Sequence, residues 1–175
     1  MILLDDAITL RAIEAGDAPV LQTMINDPEL ERSVVGWSRP VSLAEQERWI
    51  ADLSRDNTIR YAVDDGSGIV GTVSVSAVDW KNRTANLNIK LLREDRGRGY
   101  GARAMKLVIA WCFEELNLNC LTANVLAENE ASCCLWEKLG FRLDGVLRQR
   151  VYKGGCYHDL RVHSLLREEY ERDRQ

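Results

Sequence analysis

The chain has 175 residues, 46% of them hydrophobic, enough for one substantial core and about the size of a single domain. A formal charge of −4 argues against a sequence-independent nucleic-acid binder, whose affinity rests on surplus lysine and arginine. Met1-Ile2-Leu3-Leu4 runs directly into Asp5-Asp6, so a signal peptide's basic flank and apolar core are missing, and no stretch approaches the ~18 apolar residues of a membrane span. The expectation is a soluble, cytoplasmic protein with no nucleic-acid or membrane partner. With three prolines and no low-complexity run or repeat, residues 1–175 read as one domain.

In chain order, residues 8–13 alternate apolar and polar like a strand, and Glu14-Ala15-Gly16-Asp17 supplies a turn and a helix N-cap. After Asp27-Pro28 the pattern is irregular through Trp37-Ser38-Arg39-Pro40, which reads as a substrate-side loop. Ser42-Leu43-Ala44-Glu45 is a capping box that opens a second helix. Residues 59–63 and 69–80 are β-rich runs divided by Asp64-Asp65-Gly66-Ser67-Gly68, a hairpin signal, and Lys81-Asn82-Arg83 turns the chain into a third strand over 84–91.

The segment Arg96-Gly97-Arg98-Gly99-Tyr100-Gly101-Ala102 then closes the strand region and opens a long helix, whose Met105, Val108, Ile109, Cys112 and Leu116 share one face. Glycine tolerates positive φ, so successive N–H groups can converge, and the helix adds the positive end of its dipole. With Arg96 and Arg98 beside it, this loop is expected to bind an anion, most plausibly phosphate. It is not a P-loop, because Gly101 is followed by Ala102 and Arg103 rather than Lys and Ser/Thr. Its Gly-x-Gly-x-Gly spacing also differs from the dinucleotide fingerprint.

Residues 120–125 read as a strand, 130–139 as a short helix stopped by Gly140, and 142–151 with 158–165 as a closing hairpin. A helical crossover between two strands of one sheet makes them parallel, so the pair around the loop should be parallel in a mixed α/β sheet. The five cysteines (Cys112, Cys120, Cys133, Cys134, Cys156) form no Cys-x-x-Cys pair, and Cys112 reads as a core residue. His158 and His163 lie five apart and so face opposite sides of a strand. No metal site is expected.

The chain resembles the GNAT superfamily of acyl-CoA-dependent N-acetyltransferases. Arg96-Gly97-Arg98-Gly99-Tyr100-Gly101 fits its Arg/Gln-x-x-Gly-x-Gly/Ala signature, and Asn129-Glu130-Ala131-Ser132 with Glu137-Lys138-Leu139-Gly140-Phe141 fits its second motif. The closing Tyr157-His158-Asp159 and Leu165-Leu166-Arg167-Glu168-Glu169-Tyr170 resemble the branch holding ribosomal-protein N-terminal, spermidine and amino-sugar acetyltransferases.

The resemblance implies a largely antiparallel sheet with one parallel, splayed pair, flanked by helices, and acetyl-CoA as cosubstrate with an amine acceptor. It implies that Arg96, Gly97, Arg98, Gly99, Tyr100, Gly101 and Ala102 wrap the coenzyme's pyrophosphate. The strand before the loop is implied to bulge and splay, with Ile89, Lys90 and Leu91 pairing the pantetheine arm through their backbone. Asn129 is implied to bond that arm, although asparagine equally serves as a helix N-cap. With the closing hairpin, the resemblance makes a homodimer plausible.

Attack of an amine on a thioester needs a proton acceptor, and a proton donor helps the thiolate leave. The tyrosine that many relatives carry before Lys-x-Gly-Phe is Trp136 here, and indole is too weak an acid. Ser132 is the leading substitute, with Cys134 and the hairpin tyrosines Tyr152 and Tyr157 as alternatives. The glutamate that some relatives carry on the preceding strand is Asn86 here, so the base is expected to be a water held by Asn88, with Glu31 as a distant alternative. Asp27, Glu29 and Glu31 could line a polyamine groove, and Trp37 and Trp80 an apolar or sugar-stacking wall. A noncatalytic acyl-CoA sensor is the rival to the enzyme.

Overall fold

The computed structural model describes residues 2–36, 39–55 and 57–172. Its strands are β1 (Leu3–Leu4), β2 (Thr9–Arg11), β3 (Ile59–Asp64), β4 (Ile69–Asp79), β5 (Thr84–Leu91), β6 (Cys120–Leu126), β7 (Arg142–Lys153) and β8 (Cys156–Leu166). The helices are α1 (Ala18–Ile25), α2 (Pro28–Ser33), α3 (Leu43–Ala51), α4 (Tyr100–Glu114), α5 (Glu130–Lys138) and α6 (Arg167–Arg172). One sheet holds all eight strands in the order β1-β2-β3-β4-β5-β6-β8-β7. Its strand pairs are antiparallel except for β5 and β6, which the α4 crossover makes parallel.

Alternation along the central strands divides the side chains between two faces of unequal character. Tyr61, Val73, Val75, Ala85, Leu87 and Leu121 pack with Ala104, Met105, Val108, Ile109 and Cys112 of α4 in the larger core. Burying each large side chain there contributes about 1.5–3 kcal/mol before the entropy of ordering it. The opposite face carries Thr72 and Ser74 of β4 and their register partners Lys90 and Asn88 of β5. A smaller core of Ile13, Leu21, Met24, Leu30, Ala62 and Ile69 covers part of that face under α1 and α2. The polar remainder forms a cleft floor.

Sequence patterning places the strands well and misses the smallest elements. Residues 28–33, expected to be irregular, form α2: Asp27 Oδ1 accepts from the Glu29 N–H at 2.9 Å and Pro28 takes the first helical position. Leu30 alone is buried in this helix, so no apolar periodicity announces it. Likewise β1 and α6 are too short to show a period. Trp80 is 59% exposed, outside both the core and the cleft, and Trp37 lies outside the described residues.

Between β5 and β6 only three rungs form: Thr84 with Cys120, Ala85 with Leu121 and Asn86 with Thr122. Beyond them the strands separate, as the resemblance implies. The implied bulge in β5 is not found, because its register with β4 runs unbroken from Ser76/Asn86 to Gly71/Leu91. The irregularity lies on β4 between Ser76 and Asp79, where Ala77 has φ 50°.

Gly71 holds the far end of β5 against β4. A Cβ there would lie 2.3 Å from the Lys90 carbonyl oxygen and 2.6 Å from Leu91 Cδ2, so glycine is required for the approach. Gly71→Ala is expected to destabilise the fold by about 1–3 kcal/mol, the usual cost of overpacking. An unchanged urea midpoint would contradict this close packing.

Candidate active site

The separated ends of β5 and β6 open into a cleft of about 1040 Å³. Asn88, Ile89, Lys90 and Leu91 line it from β5, and Asn124, Val125 and Leu126 from β6. The last paired rung is fastened by side chains: Asn86 Nδ2 donates to Thr122 Oγ1, and that hydroxyl donates to the Ala85 carbonyl, each at 3.2 Å. Past this clamp, the backbone edge of β5 facing β6 is unpaired with it, leaving N–H and C=O groups that an extended ligand can use.

At the cleft's end lies the glycine loop. Gly97 (φ 78°) and Gly99 (φ 86°) are left-handed, a conformation that costs a residue with a Cβ roughly 1–2 kcal/mol, and Gly99 is the N-cap of α4. Arg96, Gly97, Gly99, Gly101 and Ala102 line the cleft, whereas Arg98 and Tyr100 do not. Arg98 reaches Asp95 at 2.7 Å and stacks over the Tyr100 ring at 5.0 Å. Tyr100 Oη donates to Asp65 Oδ2 at 2.9 Å, pinning the loop to the β3–β4 turn. That hydrogen bond comes first among the causes holding the phenol above its ordinary range.

Arg96 is shared with carboxylates that its local sequence does not reveal. Its Nη1 lies 3.0 Å from Glu29 and its Nη2 3.6 Å from Asp27, while Nε donates to the Leu91 carbonyl at 3.4 Å. Glu29 also meets Arg93 at 2.9 Å. The third acid, Glu31, pairs with Lys153. Asp27, Glu29 and Glu31 therefore do not form a free acidic groove, and Glu31 does not line the cleft as the alternative base would require.

Asn129 is the N-cap of α5. Its Oδ1 accepts from the Ser132 N–H at 3.1 Å and its Nδ2 donates to the Ser33 carbonyl at 2.8 Å, joining α5 to the end of α2. Asn129, Ser132 and Cys134 all line the cleft. Trp136 is buried against Phe141, their ring centroids 4.9 Å apart. Tyr152 and Tyr157 meet edge to face with ring centroids 5.0 Å apart, both more than 60% exposed, and neither lines the cleft.

The other side of the cleft is walled by α1 to α3. Asn26 bonds both backbone groups of Val41, at 2.8 and 2.9 Å, and so fixes the approach to α3. Asn88 Nδ2 donates to Ser76 Oγ at 3.2 Å, which leaves its amide oxygen available as an acceptor. Trp49 meets the Arg60 guanidinium at 5.5 Å. Lys90 is depressed from the ordinary lysine range by burial first and by the nearby Arg60 second. None of Trp49, Arg60 or Glu45 carries a sequence signal for a cleft role.

Glu45 closes this wall through the capping box of α3 and an ion pair with Arg39 at 2.8 Å. The Ser42 backbone N–H, then Arg39, then the Ser42 hydroxyl bring its carboxyl from 4.5 to about 2. Since the folded value is the lower one, its stabilising effect is complete above about 4.5 and is lost as pH falls through about 2. Glu45→Gln is expected to lower the melting temperature near neutral pH and to flatten its decline across that acid window. Parallel melting curves for the two proteins over the window would contradict the role.

Comparison with known proteins agrees with this geometry. The family model of the GNAT acetyltransferase domain matches residues 7–142. The uncharacterized N-acetyltransferase p20 of Bacillus licheniformis is 30% identical over 173 residues, covering 96% of this chain and 97% of that protein. A spermidine N(1)-acetyltransferase of Vibrio cholerae is 26% identical over 172 residues, covering 95% and 97%. The crystal structure of spermidine N-acetyltransferase from Vibrio cholerae, in complex with CoA and spermine, superposes with a TM-score of 0.85 at 24% identity, covering 95% and 99%. The chain belongs to the GNAT family of acetyltransferases, N-acetyltransferases that use acetyl-CoA.

Proposed function

We propose that the protein transfers the acetyl group of acetyl-CoA to a primary amine of a small molecule or a protein N-terminus, by direct attack in a ternary complex. The observation that carries this reading is the continuity of one cleft from the glycine loop and the α5 N-terminus to the walls of α1 and α3. Donor and acceptor can occupy it together, which converts the reaction to an intramolecular one.

The N–H groups of residues 96–102 and the α4 dipole hold the pyrophosphate, with Arg96 shared between it and Glu29. Backbone groups of Ile89, Lys90 and Leu91 align the pantetheine arm, and an N–H at this level polarises the thioester carbonyl, a contribution that can reach about 3 kcal/mol. Asn129 orders the arm's approach while capping α5. Ser132, held in the first turn by that cap, donates a proton to the departing thiolate. Asn88 holds the water that takes the proton from the amine. This geometry favours the enzyme over a noncatalytic acyl-CoA sensor, because hydroxyl, amide and acyl channel meet in one cleft.

A polycationic acceptor fits this cleft poorly. Among its described lining residues, Arg39, Arg60, Lys90, Arg96 and Lys138 are cationic, and the one carboxylate, Glu45, is held by Arg39 and Ser42. The spermidine N(1)-acetyltransferase likeness supports a polyamine as the second reading. A monoamine, an amino sugar or a peptide N-terminus accommodates the charge better.

The test is thiol release from acetyl-CoA over a panel of spermidine, amino sugars and short peptides. Turnover is expected on a monoamine, amino sugar or peptide above that on spermidine. Acetyl-CoA binding with no turnover on any acceptor would establish the sensor instead. Ser132→Ala should lower kcat by about 100-fold or more, as expected for a lost general acid, with little change in KM for acetyl-CoA. Cys134→Ser should retain activity, and the reverse pattern would move the proton donor to Cys134.

A further inference from the structure

The turn between β7 and β8 carries a group of side chains that acetyl transfer does not use. His158 Nε2 lies 3.2 Å from Cys156 Sγ and 3.1 Å from the Lys153 carbonyl oxygen. Its other nitrogen, Nδ1, pairs with the Glu128 carboxylate just before the α5 cap. The Cys156 thiol also donates to that Lys153 carbonyl, at 3.5 Å. With its N–H on Nδ1 facing Glu128, the neutral imidazole presents Nε2 to the thiol as an acceptor.

That arrangement sets a base beside the sulfur. A base at contact distance can take the thiol proton, and thiolate is the attacking species in thiol–disulfide exchange. Cys156 is exposed, so a dissolved disulfide can reach it. The other cysteines lack this combination. Cys112 and Cys133 are buried, and burial pushes the Cys112 thiol up to about 12. Cys120 is half-buried and raised by burial first, with Asp144 and Glu169 adding to it. Cys134 is exposed, with no imidazole bonded to it among the described residues.

We propose that Cys156, with His158 and Glu128, forms a reactive thiol site that exchanges with low-molecular-weight disulfides. The Cys156 thiolate attacks one sulfur of the disulfide, a new S–S bond forms as the original one breaks, and the released half leaves as a thiolate that takes a proton from water. Cys156 is oxidised to the mixed disulfide and the released half is reduced to a thiol. Glu128 acts as a positioning residue, holding the imidazole through Nδ1. The site is independent of which amine the cleft accepts.

The full-length protein is incubated with glutathione disulfide, and adducts are followed by intact mass and peptide mapping, with exposed Cys134 as the internal reference. Cys156 is expected to form its adduct about tenfold or more faster than Cys134, because an adjacent imidazole can take its thiol proton. His158→Gln and Glu128→Gln should each slow Cys156 toward the Cys134 rate while leaving Cys134 unchanged, which also reports that the fold is intact. Equal rates at the two cysteines in the unmodified protein, or an unchanged Cys156 rate in both variants, would overturn the proposal.

Discussion

Parallel pairing between β5 and β6 stops at Asn86 and Thr122, and the cleft exists because it stops there. A fully zipped pair would satisfy its own backbone and leave no edge for an extended ligand. The clamp of Asn86, Thr122 and the Ala85 carbonyl holds the last rung closed. Farther along, β5 stays with β4 through the close approach at Gly71 while β6 follows β8, from Cys120/Leu166 to Leu126/Leu160. The divergence is thus built from ordinary antiparallel pairing on both outer flanks. The glycine loop and the N-terminus of α4 stand at its open end, where backbone N–H groups and the helix dipole favour an anion.

α2 joins the two halves of the cleft. On one side Asp27 and Glu29 hold Arg96 of the glycine loop, and on the other the Ser33 carbonyl accepts from the Asn129 side chain. The same helix sends Leu30 into the smaller core, and Leu30, Ser33 and Val34 line the cleft. If the loop holds the donor's phosphates as proposed, the anion shares Arg96 with Glu29, and donor binding then acts on a helix that also lines the rest of the cleft. Partly exposed ion pairs of this kind are each worth about 1 kcal/mol or less, small enough to be redistributed by a bound phosphate.

Much of the architecture was legible because the longer elements carry strong periods. The apolar stripe of α4, the hairpin signal at Asp64 to Gly68 and the capping box at Ser42 all correspond to observed elements. The parallel pair followed from the crossover alone. What the sequence left hidden is either too short to show a period, as in α2 and β1, or depends on partners far apart in the chain. Arg96 with Glu29 is 67 positions apart, and the Asn129 side chain with the Ser33 carbonyl is 96. Arg98 and Tyr100 belong to the motif, yet their side chains turn to Asp95 and Asp65, which the motif does not encode. Trp136 stands where the resemblance implies a tyrosine, and its burial against Phe141 accounts for an indole there as a packing group.

Direct transfer within one cleft competes with an alternative chemistry, an acyl-enzyme formed on a cleft thiol such as Cys134. Initial rates measured as a matrix of acetyl-CoA and amine concentrations separate the two, since a covalent intermediate gives ping-pong kinetics. Direct transfer predicts double-reciprocal lines that intersect, with no acetyl group retained on the protein when the amine is omitted. Parallel lines, together with acetylated Cys134 in the absence of amine, would contradict it.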